Sequence, residues 1–161
     1  MKNALAPFGI LILCFFSFGC PYQSDVPIDK PIEKINAKYL GNWEDVKEHE
    51  IYKVSKQNEN IYSVEITHEN QDKQEKHFFY TSTIQNTVFL NKWAVAEDTS
   101  VHKYALMKIE FMGDNEINIF PITENVQEQF KTSAALKKFI SKNKPISYFF
   151  ERPITLTRMT K

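Results

Sequence analysis

From Tyr39 onward, apolar and polar residues alternate over short stretches with a period of two rather than 3.6. Residues 61–68 show it best: Tyr62, Val64 and Ile66 fall on one face, and Ser63, Glu65 and Thr67 on the other. Residues 104–111 repeat it, with Ala105, Met107, Ile109 and Phe111 opposite Lys108 and Glu110. Residues 43–47, 51–56, 77–84, 87–95, 117–122 and 154–159 supply six further candidate strands. Polar turns separate them: Asn58-Glu59-Asn60, a hairpin loop at 70–76, Gln85-Asn86 and Gly113-Asp114-Asn115. Tight turns need residues that tolerate positive φ, and after Gly the most tolerant is Asn. Asn58, Asn60, Asn86 and Asn115 therefore read as turn residues. The period changes once. Thr132 or Ser133 can cap a helix, and Ala135, Leu136, Phe139 and Ile140 make an apolar stripe that ends at Asn143 and Pro145. A weaker helical turn covers 124–131, with Val126 and Phe130 four apart. The chain is thus mainly β: eight strands, with one helix before the last. An antiparallel meander of this size closes into an eight-stranded up-and-down barrel or a strongly curved sheet, since closure removes sticky edges. A sandwich is the structural alternative.

The N-terminus follows another pattern. Lys2 precedes an apolar run, 8–18, interrupted only by Gly9 and Ser17 and followed by Gly19 and Cys20. A charged start, a short apolar stretch and a small residue before a cut site define a secretory signal. The run is shorter than the ~20 residues that span a bilayer. Ser17-Phe18-Gly19-Cys20 resembles the lipobox of bacterial lipoproteins. That resemblance implies removal of residues 1–19 as a signal peptide and acylation of Cys20 by palmitate-type chains. It also implies a lipid-anchored protein of the bacterial cell envelope, at the outer membrane. An ordinary cleaved signal and a retained anchor are the other two readings. Residues 20–38 contain Pro21, Pro27 and Pro31 and no periodicity, so they read as an extended tether. The globular domain then occupies 39–161.

Composition narrows the function classes. The chain has 161 residues, with 20 basic and 20 acidic side chains, whereas nucleic-acid binders carry a basic excess. Only four Gly are present, two of them in the N-terminal apolar stretch, which argues against a phosphate-cradling loop. Cys14 leaves with the signal and Cys20 is the lipid attachment point, so no thiol remains for catalysis or zinc. Aromatics make up 14% of the chain, a richness suited to a β core.

Leu40-Gly41-Asn42-Trp43 resembles the G-x-W segment on the first strand of lipocalins and related calycin barrels. It is also similar to the Leu-Gly-x-Trp start of small Bacteroidetes lipoproteins. The lipocalin resemblance implies that Trp43 plugs one end of the barrel, and that an Arg of the last strand stacks over its ring. Arg158 is the matching residue and Arg152 the second choice. The helix before the last strand fits the lipocalin order. A barrel fold does not by itself define a function.

Candidate chemistry is sparse. None of His49, His68, His77 and His102 lies in an H-E-x-x-H frame. His68 and His77 flank one loop. If their strands pair, Glu69 or Glu75 could complete a metal site; the plainer reading is two exposed imidazoles at a sheet end. No Ser sits in a G-x-S-x-G elbow, and adjacent carboxylates such as Glu44-Asp45 point to opposite faces of a strand. No enzyme activity, cofactor or metal is expected. Lys131, Lys137, Lys138, Lys142 and Lys144 make the helical region basic, as in an ordinary solvated face or a contact with anionic lipid. Phe78, Tyr80, Phe89, Trp93, Tyr104, Phe111 and Phe120 are the candidates to line, or simply fill, the barrel. Two functions follow: a binding module for a small apolar or amphipathic ligand, or an envelope interaction, scaffold or inhibitor protein working through its outer surface.

Overall fold

The computed structural model describes residues 21–68, 74–94 and 103–160. Eight strands form the barrel: β2 (Gly41–Asp45), β3 (Glu50–Lys56), β4 (Tyr62–His68), β5 (Gln74–Ile84), β6 (Thr87–Ala94), β7 (Tyr104–Phe111), β8 (Glu116–Pro121) and β9 (Ile154–Arg158). Each is antiparallel to its neighbour in chain order, and β9 returns to β2 to close the cylinder. This closed up-and-down barrel is compatible with a lipocalin-like fold. A two-residue strand, β1 (Gln23–Ser24), adds to the start of β7, and one helix, α1 (Ser133–Asn143), lies between β8 and β9.

Local chemistry sets these elements. Gln85 and Asn86 both have positive φ, 51° and 26°, which gives the two-residue hairpin joining β5 to β6. Asn58 works differently: its side chain accepts from the N–H groups of Asn60 and Ile61. Thr132 caps α1, its Oγ1 accepting from Ala135 N–H at 3.3 Å. The helical turn expected at 124–131 does not form; beyond a turn at 124–125 the chain is irregular. Val126 and Phe130 instead pack into an apolar layer outside the barrel. The expected loop at 70–76 is shorter on its C-terminal side, because β5 begins at Gln74; residues 69–73 lie outside the described ones, as does Val95.

Two apolar cores share the barrel wall. The inner one gathers Trp43, Tyr62, Val64, Ile66, Phe79, Leu90, Met107, Ile109, Ile117 and Leu156, all from inward strand positions. The outer one packs Leu136 and Ile140 of α1 against Ile84, Phe89 and Leu106 on the outside of β5, β6 and β7. Tyr22 and Ile28 complete it. The N-terminal stretch is therefore not an extended tether. Ile28 is 0% and Tyr22 4% exposed, and Ile28 N–H donates to Asn91 Oδ1 at 2.8 Å. The Pro residues exclude helix from this stretch, but they do not stop isolated apolar side chains from docking between α1 and the barrel wall.

Truncating one of those side chains tests the packed strap. Ile28→Ala should cost about 2–5 kcal/mol, the range for emptying a buried Ile site. A urea unfolding midpoint that falls with unchanged slope would show it. An unchanged midpoint would mean that the strap is loose in solution.

Candidate ligand-binding site

One end of the barrel is sealed. The first residues of β2 stand there with a three-residue 3-10 turn, Ala37–Tyr39, laid across the opening. Trp43 is buried, and its Nε1–H donates to Tyr39 O at 2.9 Å. The Arg158 guanidinium lies over the indole, 4.1 Å from the ring centroid. Its two nitrogens donate to Leu40 O at 2.9 Å and Lys38 O at 2.6 Å. Gly41 has φ of 121°, and a Cβ there would meet Arg158 Nη1 at 3.0 Å. The G-x-W spacing thus has a local cause: Gly makes room for the guanidinium, and Trp, two residues on along the same face, receives it. Arg152 is exposed and takes no part. Tyr39 also stacks on Phe111 at 4.9 Å and meets Tyr62 edge-on at 5.8 Å, which thickens the seal.

Above this plug the barrel holds a partly open cavity of about 90 Å³. Its wall is almost wholly apolar: Val64, Ile66, Phe79, Leu90, Met107, Ile109 and their neighbours, with Trp43 at the floor. Lys92 is the charged residue in the lining. The volume holds a short alkyl or ring fragment and falls below the ~300 Å³ of pockets that take whole drug-sized molecules.

Towards the other end, the mouth, the inward positions become polar. Two-residue periodicity places Asp45 in line with Trp43, Glu50 with Tyr52, His68 with Ile66, and Glu75 and His77 with Phe79. Most of this collar is paired within itself. Asp45 Oδ1 accepts from the N–H groups of Lys47 and Glu48. Glu50 accepts from the Tyr52 hydroxyl and pairs with His68 Nδ1 at 3.1 Å. His77 Nε2 meets Glu75 Oε2 at 3.2 Å, while its Nδ1 is buried with no hydrogen-bond partner among the described residues. Burial, aided by the nearby Lys92 charge, lowers the His77 pKa from 6.5 despite the Glu75 bond. Burial also lowers the pKa of Lys92; the Glu75 and Glu50 carboxylates oppose that shift from a distance. Among the described residues the Lys92 ammonium has no hydrogen-bond or ion-pair partner.

The expected lining residues sit elsewhere. None of Phe78, Tyr80, Phe89, Trp93, Tyr104, Phe111 and Phe120 lines the cavity. Phe111 belongs to the sealed end. Phe78, Tyr80 and Tyr104 all meet Trp93, at 5.7–5.9 Å, in an aromatic ladder on the outer wall. Phe89 is in the outer core, and Phe120 lies beneath Lys108 Nζ, 3.9 Å from its ring centroid. In β5, β6 and β8 the inward face is the alternate set, with Phe79, Leu90 and Ile119. His68 and His77 do not face each other either: His77 is opposite Val64, and His68 opposite Glu50. Among the described residues no group of His, Cys, Asp and Glu could hold a metal ion. Glu69 and Cys20 lie outside the described residues. Sequence reasoning missed the inward Lys92 and the collar. The available signal was a lone charge inside the apolar run 88–93.

No protein-family profile matches the chain, and comparison with curated proteins and with solved structures found no match.

The depressed His77 pKa gives a pH dependence with a defined sign. Between its folded value and 6.5 the unfolded chain binds more protons than the native state. Its contribution to stability is therefore complete above about pH 6.5 and is lost as pH falls towards the folded value. Urea unfolding from about pH 7.5 down to about pH 5 should show wild type losing stability faster than His77→Gln. Parallel curves would mean that His77 is solvated in the native protein.

Proposed function

We propose that the protein is a bacterial cell-envelope lipoprotein, anchored through acylated Cys20, whose barrel binds the apolar end of a small amphipathic molecule. The observation that carries the binding reading is the apolar cavity inside the barrel with Lys92 in its lining. A core built only for stability gains nothing from a half-buried Lys turned into an apolar barrel; drawing its charge out of water costs free energy, which an anion or acceptor at its tip offsets. Among the described collar groups Glu50, His68 and Glu75 are engaged in side-chain pairs, and Lys92 is the cation in the cavity lining that can receive an acidic head group. The cavity size sets the rest: a single short alkyl chain or ring fits, and a bulky polycyclic molecule does not. The ligand class is thus a carboxylate or similarly acidic head on one slender apolar tail. The sequence resemblance to the lipobox supports the envelope assignment, and the barrel closed by Trp43 and Arg158 supports a lipocalin-like carrier.

Trp43 forms the cavity floor, so its fluorescence reports on occupancy once Trp93 is replaced by Phe. Titration with octanoate, octanol and octyltrimethylammonium should rank octanoate tightest. A charge-assisted contact at Lys92 should separate it from octanol by about tenfold or more. Lys92→Met should remove that preference and leave octanol binding intact. Absence of a fluorescence change with all three, together with a ligand-free mass in native mass spectrometry, would overturn the binding reading.

A further inference from the structure

The strap joins the barrel at its mouth end. Tyr22 N–H donates to Ile122 O at 3.2 Å, just past the mouth end of β8, and its hydroxyl donates to Glu128 O at 2.9 Å. Gln23 and Ser24 pair with Ala105 and Tyr104, the first residues of β7 at the mouth. Asp25 is held there by Lys103 at 2.6 Å. The chain then turns and descends the outer wall. Tyr80 OH donates to Asp29 O at 2.6 Å, Lys137 Nζ holds Asp29 Oδ2 at 2.6 Å, and Thr83 N–H donates to Glu33 Oε1 at 2.7 Å. At the sealed end Ile35 N–H donates to Glu59 O at 3.0 Å. The strap is therefore pinned along its length, and its N-terminal end lies at the mouth.

Only Pro21 separates Tyr22 from Cys20. Successive Cα atoms are ~3.8 Å apart, so the Cys20 Cα lies within about 8 Å of that of Tyr22. A free tether of the whole strap would let the barrel turn any face to the bilayer; two residues do not. The same sector of the rim carries two exposed apolar side chains. Val46, 62% exposed, is in the turn between β2 and β3. Tyr148, 77% exposed, adjoins Phe149, whose carbonyl accepts from Thr123 N–H beside the end of β8. Strands β8, β9 and β2 are consecutive in the barrel, so the chain entry, Tyr148 and Val46 share one side of the mouth. Tyr suits an interface, with an apolar ring and a polar tip.

We propose that the mouth docks on the bilayer surface, with Val46 and Tyr148 at the lipid interface, so that the cavity exchanges its amphipathic ligand directly with the membrane. This rests on the anchoring at Cys20 argued above. The test uses the full chain, produced and processed in bacteria in a Cys14→Ser background. Single substitutions Val46→Cys, Tyr148→Cys and Met112→Cys carry an environment-sensitive fluorophore; Met112 is the exposed apolar residue of the β7–β8 turn at the sealed end. The parent without an added Cys reports any label taken up by Cys20. Each protein is bound to phosphatidylethanolamine–phosphatidylglycerol vesicles containing brominated lipid. Circular dichroism verifies folding, and flotation isolates the bound fraction. In floating protein the labels at 46 and 148 should be quenched several-fold more than the label at 112. A Gly-Ser insertion of about ten residues after Pro21, which adds a mean span of roughly 18 Å, should abolish the difference. Equal quenching at all three sites, or none in protein that floats, overturns the orientation and leaves the anchor standing. Protein that folds but does not float overturns the anchor, and the orientation falls with it.

Discussion

The barrel depends on one guanidinium. The seam between β2 and β9 is short, with two paired positions, Trp43 opposite Arg158 and Glu44 opposite Thr157. A ladder of that length contributes little by itself, and an open eight-stranded sheet would expose two edges. Arg158 compensates by joining three parts of the chain. It covers Trp43 of the first barrel strand, belongs to the last, and donates to carbonyls of the 3-10 turn that seals the end. A cation over an aromatic face contributes ~0.5–2 kcal/mol, and hydrogen bonds from a charged donor ~1.5–3 kcal/mol each. These contacts converge on a Gly whose missing Cβ leaves the space. Closure is thus a side-chain event as much as a backbone one, and the sealed end is what makes the interior a cavity instead of a tube.

Strand positions were legible in the sequence and strand phase only in part, for a physical reason. β4 and β7 are covered mainly on one side near their sealed ends, so Tyr62, Val64 and Ile66, and Met107, Ile109 and Phe111, stand out as single faces. β5 and β6 are covered on both. Phe79 and Leu90 fill the inner core, while Ile84 and Phe89 meet α1 and the strap. Such strands read as continuous apolar runs, Phe78-Phe79-Tyr80 or Val88-Phe89-Leu90, and a period of two cannot be extracted from them. Phe78, Tyr80 and Phe89 came from those runs and lie on their outer face.

The strap and the polar site were hidden for related reasons. Tyr22 and Ile28 are isolated apolar residues among Pro and charged neighbours, with no local period to reveal a partner more than sixty residues away. That partner, Asn91, is itself informative after the fact. Asn91 and Lys92 are adjacent polar residues in an apolar strand, and alternation sends them to opposite sides of the wall. Asn91, fully buried, accepts from Ile28 N–H and donates to Ser82 Oγ, so it fastens the strap. Lys92 lies in the cavity lining, with no such partner among the described residues. Two polar side chains in one run therefore have opposite meanings, and only the fold separates them.

The same wall links the two roles. Through Asn91, β6 holds the strap outside, and through Leu90 and Lys92 it lines the cavity inside. β7 pairs with β1 at the mouth and also supplies Met107 and Ile109 to the cavity. The strands that locate the N-terminal segment are thus the strands that shape the ligand space. A strap joined only at its ends would transmit nothing to the interior. One hydrogen-bonded to a buried Asn next to the inward Lys couples the chain entry to the cavity wall through a single peptide unit. Packed β walls are stiff, so the strap and Lys92 hold a common frame, and the cavity stays registered to the end of the barrel where the chain enters.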